Sequence, residues 1–387
     1  MACMTVRAYD FEVGGIYYSF DPNVENGVSV VCGDTSPADR PQNIHSGPLK
    51  DIIPYEFMWW KGNSYSGDVI VPAEVEYSKD GVTHRYRVTS VGVGAFCHSR
   101  ELKSVVLPYT VETLSAGAFY FCTALESLNM PNGIRFVDNY AFAGCRSLSE
   151  LHYPSALTYI ADTAMSYVGA DVETFTLSGT ENVTYIYPYG CMGINIKDLS
   201  SFRKLTVAYP FTFAHSQIEI VDFTPFTSKG LARTTDFSHC EKLHSLIVPA
   251  HMEADDISGN YSQCPNISLI RLGAVTPPQL RYDWAADVSA DCVLEVPDEA
   301  VAAYREAPFW KNFKNIRGIQ ASVGAIENAT FSATGTTGAV LVEGDATVSI
   351  YDASGRSVYH GGSGRISVSP GLYIVKGCGI SSKVLVK

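Results

Sequence analysis

A unit of 23 residues repeats within residues 118–145, which are AFYFCTALESLNMPNGIRFVDNYAFAGC. The unit begins with the pair Ala118-Phe119 and returns to the same pair at Ala141-Phe142. Leu128 and Met130 stand two residues apart, so both side chains point to one face of a short strand. The proline that follows ends the strand, because its nitrogen has no hydrogen to donate to a neighbouring strand.

The same register continues on both sides of this unit. Its aromatic position recurs every 23 residues, at Phe96, Phe119, Phe142 and Met165. A leucine and a proline keep that step, at Leu102, Leu125 and Leu148 and at Pro108, Pro131 and Pro154. Farther along, the aromatic position returns in steps of 24, at Phe213, Phe237 and Tyr261. Several positions in register over successive units indicate a true internal repeat.

A single unit is too small to bury its own apolar residues. Stacked units bury them against one another, and about six apolar side chains in each unit contribute roughly 1.5–3 kcal/mol apiece. The sequence therefore predicts a solenoid of parallel strands about 4.8 Å apart, rich in β-structure and poor in helix. The spacing drifts over residues 166–211, where the candidate rungs are Phe175-x-Leu177, Ile186 and Leu205-x-Val207. The number of rungs in that stretch stays open.

Composition narrows the class of protein. Hydrophobic residues make up 46% of the 387 residues and charged residues 18%, as in a packed globular chain. The net charge is −12, and no cluster of Lys and Arg is present to neutralise phosphates, so we predict no nucleic-acid partner. No uncharged apolar run approaches the ~20 residues of a membrane-spanning helix.

The segments on either side of the repeats are distinctive. The sequences YSGDVIVP (65–72) and YRVTSVG (86–92) lead in, and Val296, Tyr304 and Trp310 are among the spaced residues that close the array. With these segments, residues 65–318 resemble bacterial leucine-rich-repeat surface proteins of the BspA-like type, common among Bacteroidota. The resemblance implies a leucine-rich-repeat solenoid, and we expect a right-handed superhelix.

The chain divides into four predicted parts. They are an N-terminal β cap with the lead-in strands (9–85), the solenoid (86–318), a linker (319–328) and a C-terminal domain (329–387). A cap is expected because the first rung would otherwise leave its core and strand edge open. Gly14-Gly15 predicts a hairpin within it. The insert 34–64 contains Trp59-Trp60, which either cover the cap or form an exposed aromatic platform.

From residue 321 the sequence turns to Gly, Ser, Thr and Val in alternating patterns, which predicts a small immunoglobulin-like β-sandwich. Its blocks IYDASGR (350–356), PGLYIVK (370–376) and KVLVK (383–387) resemble the C-terminal sorting domain of the type IX secretion system. The resemblance implies export across the outer membrane and a partner in the secretion machinery. The residues that carry it are Tyr351, Asp352, Gly355, Arg356, Gly371, Tyr373 and Lys383. The alternative is an accessory domain without a sorting role.

Four of the ten cysteines share one position of the repeat, three residues after the aromatic position: Cys122, Cys145, Cys240 and Cys264. Ser99 takes this position in an earlier unit. A small, weakly polar residue there predicts a buried spacer whose sulfur meets a loop backbone group. Stacked parallel units rarely allow the ~90° dihedral angle of a disulfide, and no activating base accompanies a cysteine in the sequence.

Three histidines, His98, His215 and His239, lie two residues after the aromatic position. On adjacent rungs His215 and His239 could chelate a transition metal, although a solvent-facing loop position is the expected role. The sequence contains no Gly-x-x-x-x-Gly-Lys-Ser/Thr, His-Glu-x-x-His or Gly-x-Ser-x-Gly motif. We therefore predict no catalytic residue, no metal and no cofactor.

The outward residues between inward apolar ones predict a recognition face on the strands. They are Val106, Asn129, His152, Thr176, Thr206, Asp222, Ile247, Arg271 and Glu295. Rigid repeat arrays commonly bind macromolecules along such a face, so we expect a non-enzymatic, adhesin-like binder of an extracellular protein or glycan. The alternative is a surface enzyme or glycan-utilisation accessory with its site in the 34–64 insert or the 166–211 stretch.

The expected location is the cell surface or the extracellular space, with the chain a monomer. Residues 1–8 are too short for a complete signal peptide, so we interpret them as the remnant of one or as a frayed end.

Overall fold

The computed structural model describes residues 9–32, 65–252, 254, 257–319, 331–344, 348–352, 356–377 and 380–387. Most of the predicted linker and the whole insert 34–64, with Trp59-Trp60, therefore lie outside the described residues.

In the described part of the chain, six strands precede the regular repeats. They are β1 (Phe11–Val13), β2 (Ile16–Phe20), β3 (Gly27–Val31), β4 (Ser66–Ile70), β5 (Glu74–Lys79) and β6 (Val82–Val91). β1 and β2 pair antiparallel about Gly14 and Gly15, whose φ angles of 61° and 80° fit the predicted two-residue hairpin. β3 pairs antiparallel with β2 and parallel with β6, so these strands continue into the repeat array.

The repeat array is built from short strands and very little helix. Its strands are β7 (Glu101–Val106), β8 (Thr113–Leu114), β9 (Ser127–Asn129), β10 (Phe136–Val137), β11 (Glu150–His152), β12 (Tyr159–Ile160), β13 (Thr176–Ser178), β14 (Tyr185–Ile186), β15 (Val207–Ala208), β16 (Ile220–Asp222), β17 (Ser245–Val248), β18 (Leu269–Leu272), β19 (Val293–Val296) and β20 (Asn315–Gly318). The helices are α1 (Leu231–Thr234), α2 (Val301–Glu306) and the 3-10 turns Ser200–Phe202, Ile257–Tyr261, Trp284–Ala286, Asp298–Ala300 and Trp310–Asn312.

One set, which we call the leucine strands, carries the Leu-x-x-Leu pattern. These strands pair in parallel within three groups: β4-β7-β9, β11-β13 and β16-β17-β18-β19-β20. Their inward residues are buried at Val105, Leu128, Leu151, Leu177, Val221, Leu246, Ile270, Leu294 and Ile316. The parallel, helix-poor solenoid predicted from the repeat is therefore present.

A second set, the short strands, lies in the other half of each unit and comprises β8, β10, β12, β14 and β15. β8 and β10 continue in parallel from β6, and β14 pairs in parallel with β12 and β15. These strands belong to two sheets. β10 is the last strand of the first sheet, and β12 is the first strand of the second.

The aromatic positions form a single inner column along the solenoid. Its members are Tyr65, Phe96, Phe119, Phe142, Met165, Cys191, Phe213, Phe237, Tyr261, Trp284 and Trp310, all buried. The rings of Phe96 and Phe119 stack with centroids 5.1 Å apart, and those of Phe119 and Phe142 lie 6.0 Å apart. The Phe96 N–H donates to Ala118 O and the Phe119 N–H to Ala141 O, so backbone hydrogen bonds also join the units beside the column.

The irregular stretch 166–211 keeps the column but changes the rungs. Phe175-x-Leu177 does supply a leucine strand, β13, whereas Ile186 and Val207 lie on the short strands β14 and β15. The leucine-strand place between β13 and β16 is taken by residues 195–202, which end in a 3-10 turn and bury Ile196, Leu199 and Phe202. A two-residue strand and a leucine strand both present an apolar residue between polar ones, so the sequence pattern alone does not separate them.

The C-terminal residues form two antiparallel sheets. The strands are β21 (Phe331–Thr336), β22 (Ala339–Gly344), β23 (Val348–Asp352), β24 (Ser357–Gly361), β25 (Gly364–Ser367), β26 (Gly371–Gly377) and β27 (Ile380–Val386). One sheet has the order β21-β22-β25 and the other β24-β23-β26-β27. Val340 and Val342 of the first sheet share a core with Ile350, Val375 and Val384 of the second.

Candidate ligand-binding surface

The four repeat cysteines belong to the core. Each thiol donates to the carbonyl oxygen of the aromatic position one unit earlier: Cys122 to Phe96 (2.9 Å), Cys145 to Phe119 (3.1 Å), Cys240 to Phe213 (3.3 Å) and Cys264 to Phe237 (3.2 Å). Burial raises the pKa of Cys264 to about 12 and also raises the pKa of the other three thiols. A buried thiol that keeps its proton is a poor nucleophile, so the predicted spacer role is confirmed.

The histidine pair is a stack rather than a chelating site. His215 and His239 lie on adjacent rungs with ring centroids 4.5 Å apart and planes within 7°. Lone pairs of parallel rings lie in separate planes and do not converge on one ion. Within the described ranges, no group of three His, Cys, Asp or Glu residues could hold a metal ion. His239 is exposed, as predicted for this loop position, whereas His98 is buried, so the prediction that the position faces solvent is wrong for His98.

Only some residues of the predicted recognition face form a row in which each residue pairs with the next. Val106 pairs with Asn129, and Asp222, Ile247, Arg271 and Glu295 follow one another in register on β16 to β19. His152 pairs with Ser178, which makes Ser178 rather than Thr176 the next member. Thr206 precedes the short strand β15 and donates to Thr184 O, so it lies on the other side of the solenoid.

At the end of this row on β18 and β19, the charged side chains are neutralised by ion pairs within the protein. Glu295 is only 1% exposed, and its carboxylate pairs with Arg271 at 2.7 Å and with Arg317 at 2.8 Å. A carboxylate held by two guanidinium groups has little capacity left for a ligand. Glu295 is therefore better explained as a structural residue than as a contact for a partner.

The short strands carry an exposed aromatic surface, which the sequence reasoning missed. Tyr185, Tyr187 and Tyr209 are 46%, 45% and 40% exposed, and Phe136 is 58% exposed. The rings of Tyr187 and Tyr209 stack with centroids 5.6 Å apart, and Tyr159 meets Tyr187 edge-on at 6.3 Å. We call these five residues, with the stacked pair Tyr189 and Phe211 beside them, the aromatic surface. Contiguous exposed apolar area of this kind marks binding sites.

A groove of about 670 Å³ opens in this surface where the short strands separate, between β10 and β12. Its residues are Thr113, Ser115, Phe136, Val137, Asp138, Asn139, Tyr159, Ala161, Asp162 and Tyr187. Ala161 follows its strand as Tyr187 and Tyr209 follow theirs, and its small side chain leaves the space open. Volumes of 300–1,000 Å³ are typical of ligand sites.

Polar groups of the groove are held in place by short local hydrogen bonds. The Asn139 N–H donates to Asp138 Oδ1 (2.8 Å), and the Asp162 N–H donates to Asn139 Oδ1 (3.1 Å). The Thr163 hydroxyl donates to Asp162 Oδ1 (2.6 Å). Burial, with Asp138 and Tyr187 nearby, raises the pKa of Tyr159, so its hydroxyl remains a donor at neutral pH.

The residues of the predicted sorting motif lie mostly in strands. Tyr351 and Asp352 end β23, and the Arg356 guanidinium pairs with Asp352 at 3.1 Å. Gly371 begins β26, where Tyr373 donates its hydroxyl to Ser369 O, and Lys383 lies in β27 opposite Ile374. Gly355 lies outside the described residues.

Of the two segments predicted for the alternative enzyme site, the insert 34–64 lies outside the described residues. Within 166–211, Asp171 is paired with Arg146 at 2.6 Å, and Tyr187, Tyr189 and Tyr209 belong to the aromatic surface. No helix among the described residues is long and apolar enough to span a membrane.

Comparison with known proteins supports the repeat class. Residues 80–190 match the profile of the BspA type leucine-rich repeat region in six copies. No curated protein matches the chain.

Several solved structures are similar to the chain. A leucine-rich repeat protein from Bacteroides ovatus shares 18% identity over 76% of this chain and 80% of its own, with a TM-score of 0.37. A leucine rich cell surface protein from Faecalibacterium prausnitzii shares 14% over 80% and 94%, with a TM-score of 0.33. The pneumococcal vaccine antigen PcpA shares 11% over 80% and 98%, also with a TM-score of 0.33.

Proposed function

We propose that this chain is a non-enzymatic, adhesin-like protein of the cell surface or extracellular space. It binds an extracellular protein or glycan on its aromatic surface. The exposed tyrosines of the short strands carry this proposal. Their burial is not needed by the core, which is already filled by the inner column, and exposing them to water is unfavourable unless a partner covers them.

The proposal places the recognition face on the short strands, whereas the sequence predicts it on the leucine strands. On the leucine strands, the charged end of the row is occupied by the Arg271–Glu295–Arg317 network. On the short strands, Tyr187 and Tyr209 offer large apolar contact area and a hydroxyl each. Tyrosine is among the residues that dominate binding energy at interfaces.

The test compares two pairs of exposed residues on opposite sides of the solenoid. Tyr187→Ala/Tyr209→Ala removes part of the aromatic surface, and Asn129→Ala/His152→Ala alters the leucine strands as the matched control. Both variants and the wild type are applied to an array of extracellular matrix proteins and glycans. We expect the tyrosine variant to lose at least about 30-fold in affinity for the ligand, as for a binding hot spot, and the control to change less than about twofold. The reverse result would place binding on the leucine strands.

We also propose that residues 329–387 direct export as a sorting domain. The support is the order of its three sequence blocks, which overlap β23, β26 and β27 of the two C-terminal sheets. Deleting 321–387 should trap the repeat region in the periplasm of a host with type IX secretion. Normal surface display of the deleted protein would contradict the sorting role.

A further inference from the structure

We infer that the groove between β10 and β12 is a binding site for a neutral oligosaccharide. The inference rests on the proposed function and assigns its ligand class. It draws on the residues that line the groove, their charge, and the tyrosine stack that continues from it.

The groove joins apolar walls to polar groups. Phe136 stands on one strand, and Tyr159 and Tyr187 stand beyond the break between the strands. Phe136 and Tyr159 occupy equivalent places on successive units, and both line the groove. A sugar ring has apolar C–H faces and a rim of hydroxyls. Such a ring fits between aromatic side chains with its rim on polar groups.

The hydrogen-bond acceptors of the groove suit a ligand that carries hydroxyl donors. Asp138 and Asp162 each have one carboxylate oxygen engaged by a neighbouring donor. Their second oxygens accept no hydrogen bond within the described ranges, and a hydrogen bond to an ionised acceptor is stronger than a neutral one. Asn139 links the two by accepting from the Asp162 N–H, which fixes the acceptors before a ligand arrives.

The charge of the lining excludes acidic ligands. Two carboxylates and no Lys, Arg or His line the groove, in a chain of net charge −12. A uronic acid, sialic acid or sulfated sugar would add a further negative charge to these two carboxylates, at a site without a cation. A neutral sugar brings none.

The tyrosine stack gives the site length. Tyr187 is shared between the groove and the Tyr187–Tyr209 stack, which continues along the solenoid at a centroid spacing of 5.6 Å. A chain of sugars can follow this line, so a hexasaccharide should bind about tenfold or more tighter than its monosaccharide.

A basic peptide is the competing ligand, because a lysine or arginine side chain also suits carboxylates beside aromatic rings. It is tested directly. The probes are neutral hexasaccharides of glucose, mannose and xylose, a hexagalacturonate and a hexalysine peptide, titrated calorimetrically into the full chain.

We expect a neutral hexasaccharide to bind and the hexagalacturonate not to bind. Tyr159→Ala and Asp138→Asn should each weaken binding about tenfold, and the matched exposed control Tyr109→Ala, outside the groove, should change it less than about twofold. Unchanged thermal unfolding of the variants secures their fold.

Three results would overturn the inference. One is no binding of any neutral hexasaccharide, the second is binding of hexalysine that Asp138→Asn abolishes, and the third is sugar binding that neither groove variant alters. If an array ligand still depends on Tyr187 and Tyr209 in those cases, the proposed function stands and only its ligand class fails. If no array ligand depends on them either, both fail.

Discussion

The inner column and the aromatic surface use the same kinds of side chain at similar spacings along the solenoid, and they differ in exposure. Phe96 and Phe119 stack at 5.1 Å inside the core, and Tyr187 and Tyr209 stack at 5.6 Å on the surface. The inner rings are fully buried, so their apolar area stabilises the fold. Tyr187 and Tyr209 keep two-fifths or more of their area in water, and that area is left for contact with a ligand. The comparison separates the rings that build the scaffold from those available for recognition.

The largest expected effect lies in the inner column. Phe119→Ala should lower the free energy of unfolding by about 3–5 kcal/mol, because it leaves a cavity between the rings of Phe96 and Phe142. Urea denaturation measures it, with Phe136→Ala on the aromatic surface as the control, expected within about 0.5 kcal/mol of wild type. Equal losses of unfolding free energy in the two variants would contradict the distinction between the inner column and the aromatic surface.

A medium effect is expected at the thiol that supports the column. Cys145→Ala should cost about 1–2 kcal/mol, because it removes buried volume and the bond to Phe119 O. Cys145→Ser should cost less, since its hydroxyl can still donate. The two variants are compared by the same denaturation, and a serine variant as unstable as the alanine variant would show that the hydrogen bond contributes nothing.

A smaller effect on stability is expected when a change of pH protonates His215 in the histidine stack. Burial and the neighbouring His239 lower the pKa of His215 in the folded protein. The folded state therefore binds fewer protons than the unfolded state, and the stabilising contribution is present above a pH of about 6.5 and lost as the pH falls below it. Melting temperatures from pH 8 to 5 should fall less steeply in His215→Gln than in wild type. Parallel curves would contradict the lowered pKa.

The smallest effect on stability is expected on the aromatic surface. Tyr187→Ala should leave the free energy of unfolding within about 0.5 kcal/mol of wild type, because its ring contacts are with Tyr159 and Tyr209 at the surface and not with the inner column. Thermal unfolding checks this. A loss above about 2 kcal/mol would make the outer stack part of the structural core.

The sequence was sufficient for the inner column, since the step of 23 residues ties Phe96, Phe119 and Phe142 to one place in each unit. The cysteine environment followed from the same register, because three residues after a buried aromatic position the chain is still inside the core. Both predictions depended on periodicity alone, which a stacked repeat must show.

The candidate site was harder to predict because it depends on which half of the unit a short strand occupies. The sequence pattern makes Ile186 a candidate rung and places Thr206 on the recognition face, although both lie with the short strands. The alternation Tyr185-Ile186-Tyr187 was the available signal, an inward aliphatic residue between two outward tyrosines. The groove depends on the break between the sheets at β10 and β12, and no local sequence pattern predicts this break.

Nitration of the native protein with tetranitromethane, followed by mass spectrometry, tests the division between inner and outer rings most directly. Exposed tyrosines react, whereas burial blocks the reagent and raises the pKa of Tyr153 and Tyr261. We predict rapid modification of Tyr187 and Tyr209 and protection of Tyr153 and Tyr261 until urea unfolds the chain. Modification of Tyr261 as fast as Tyr187 in the folded protein would contradict the account.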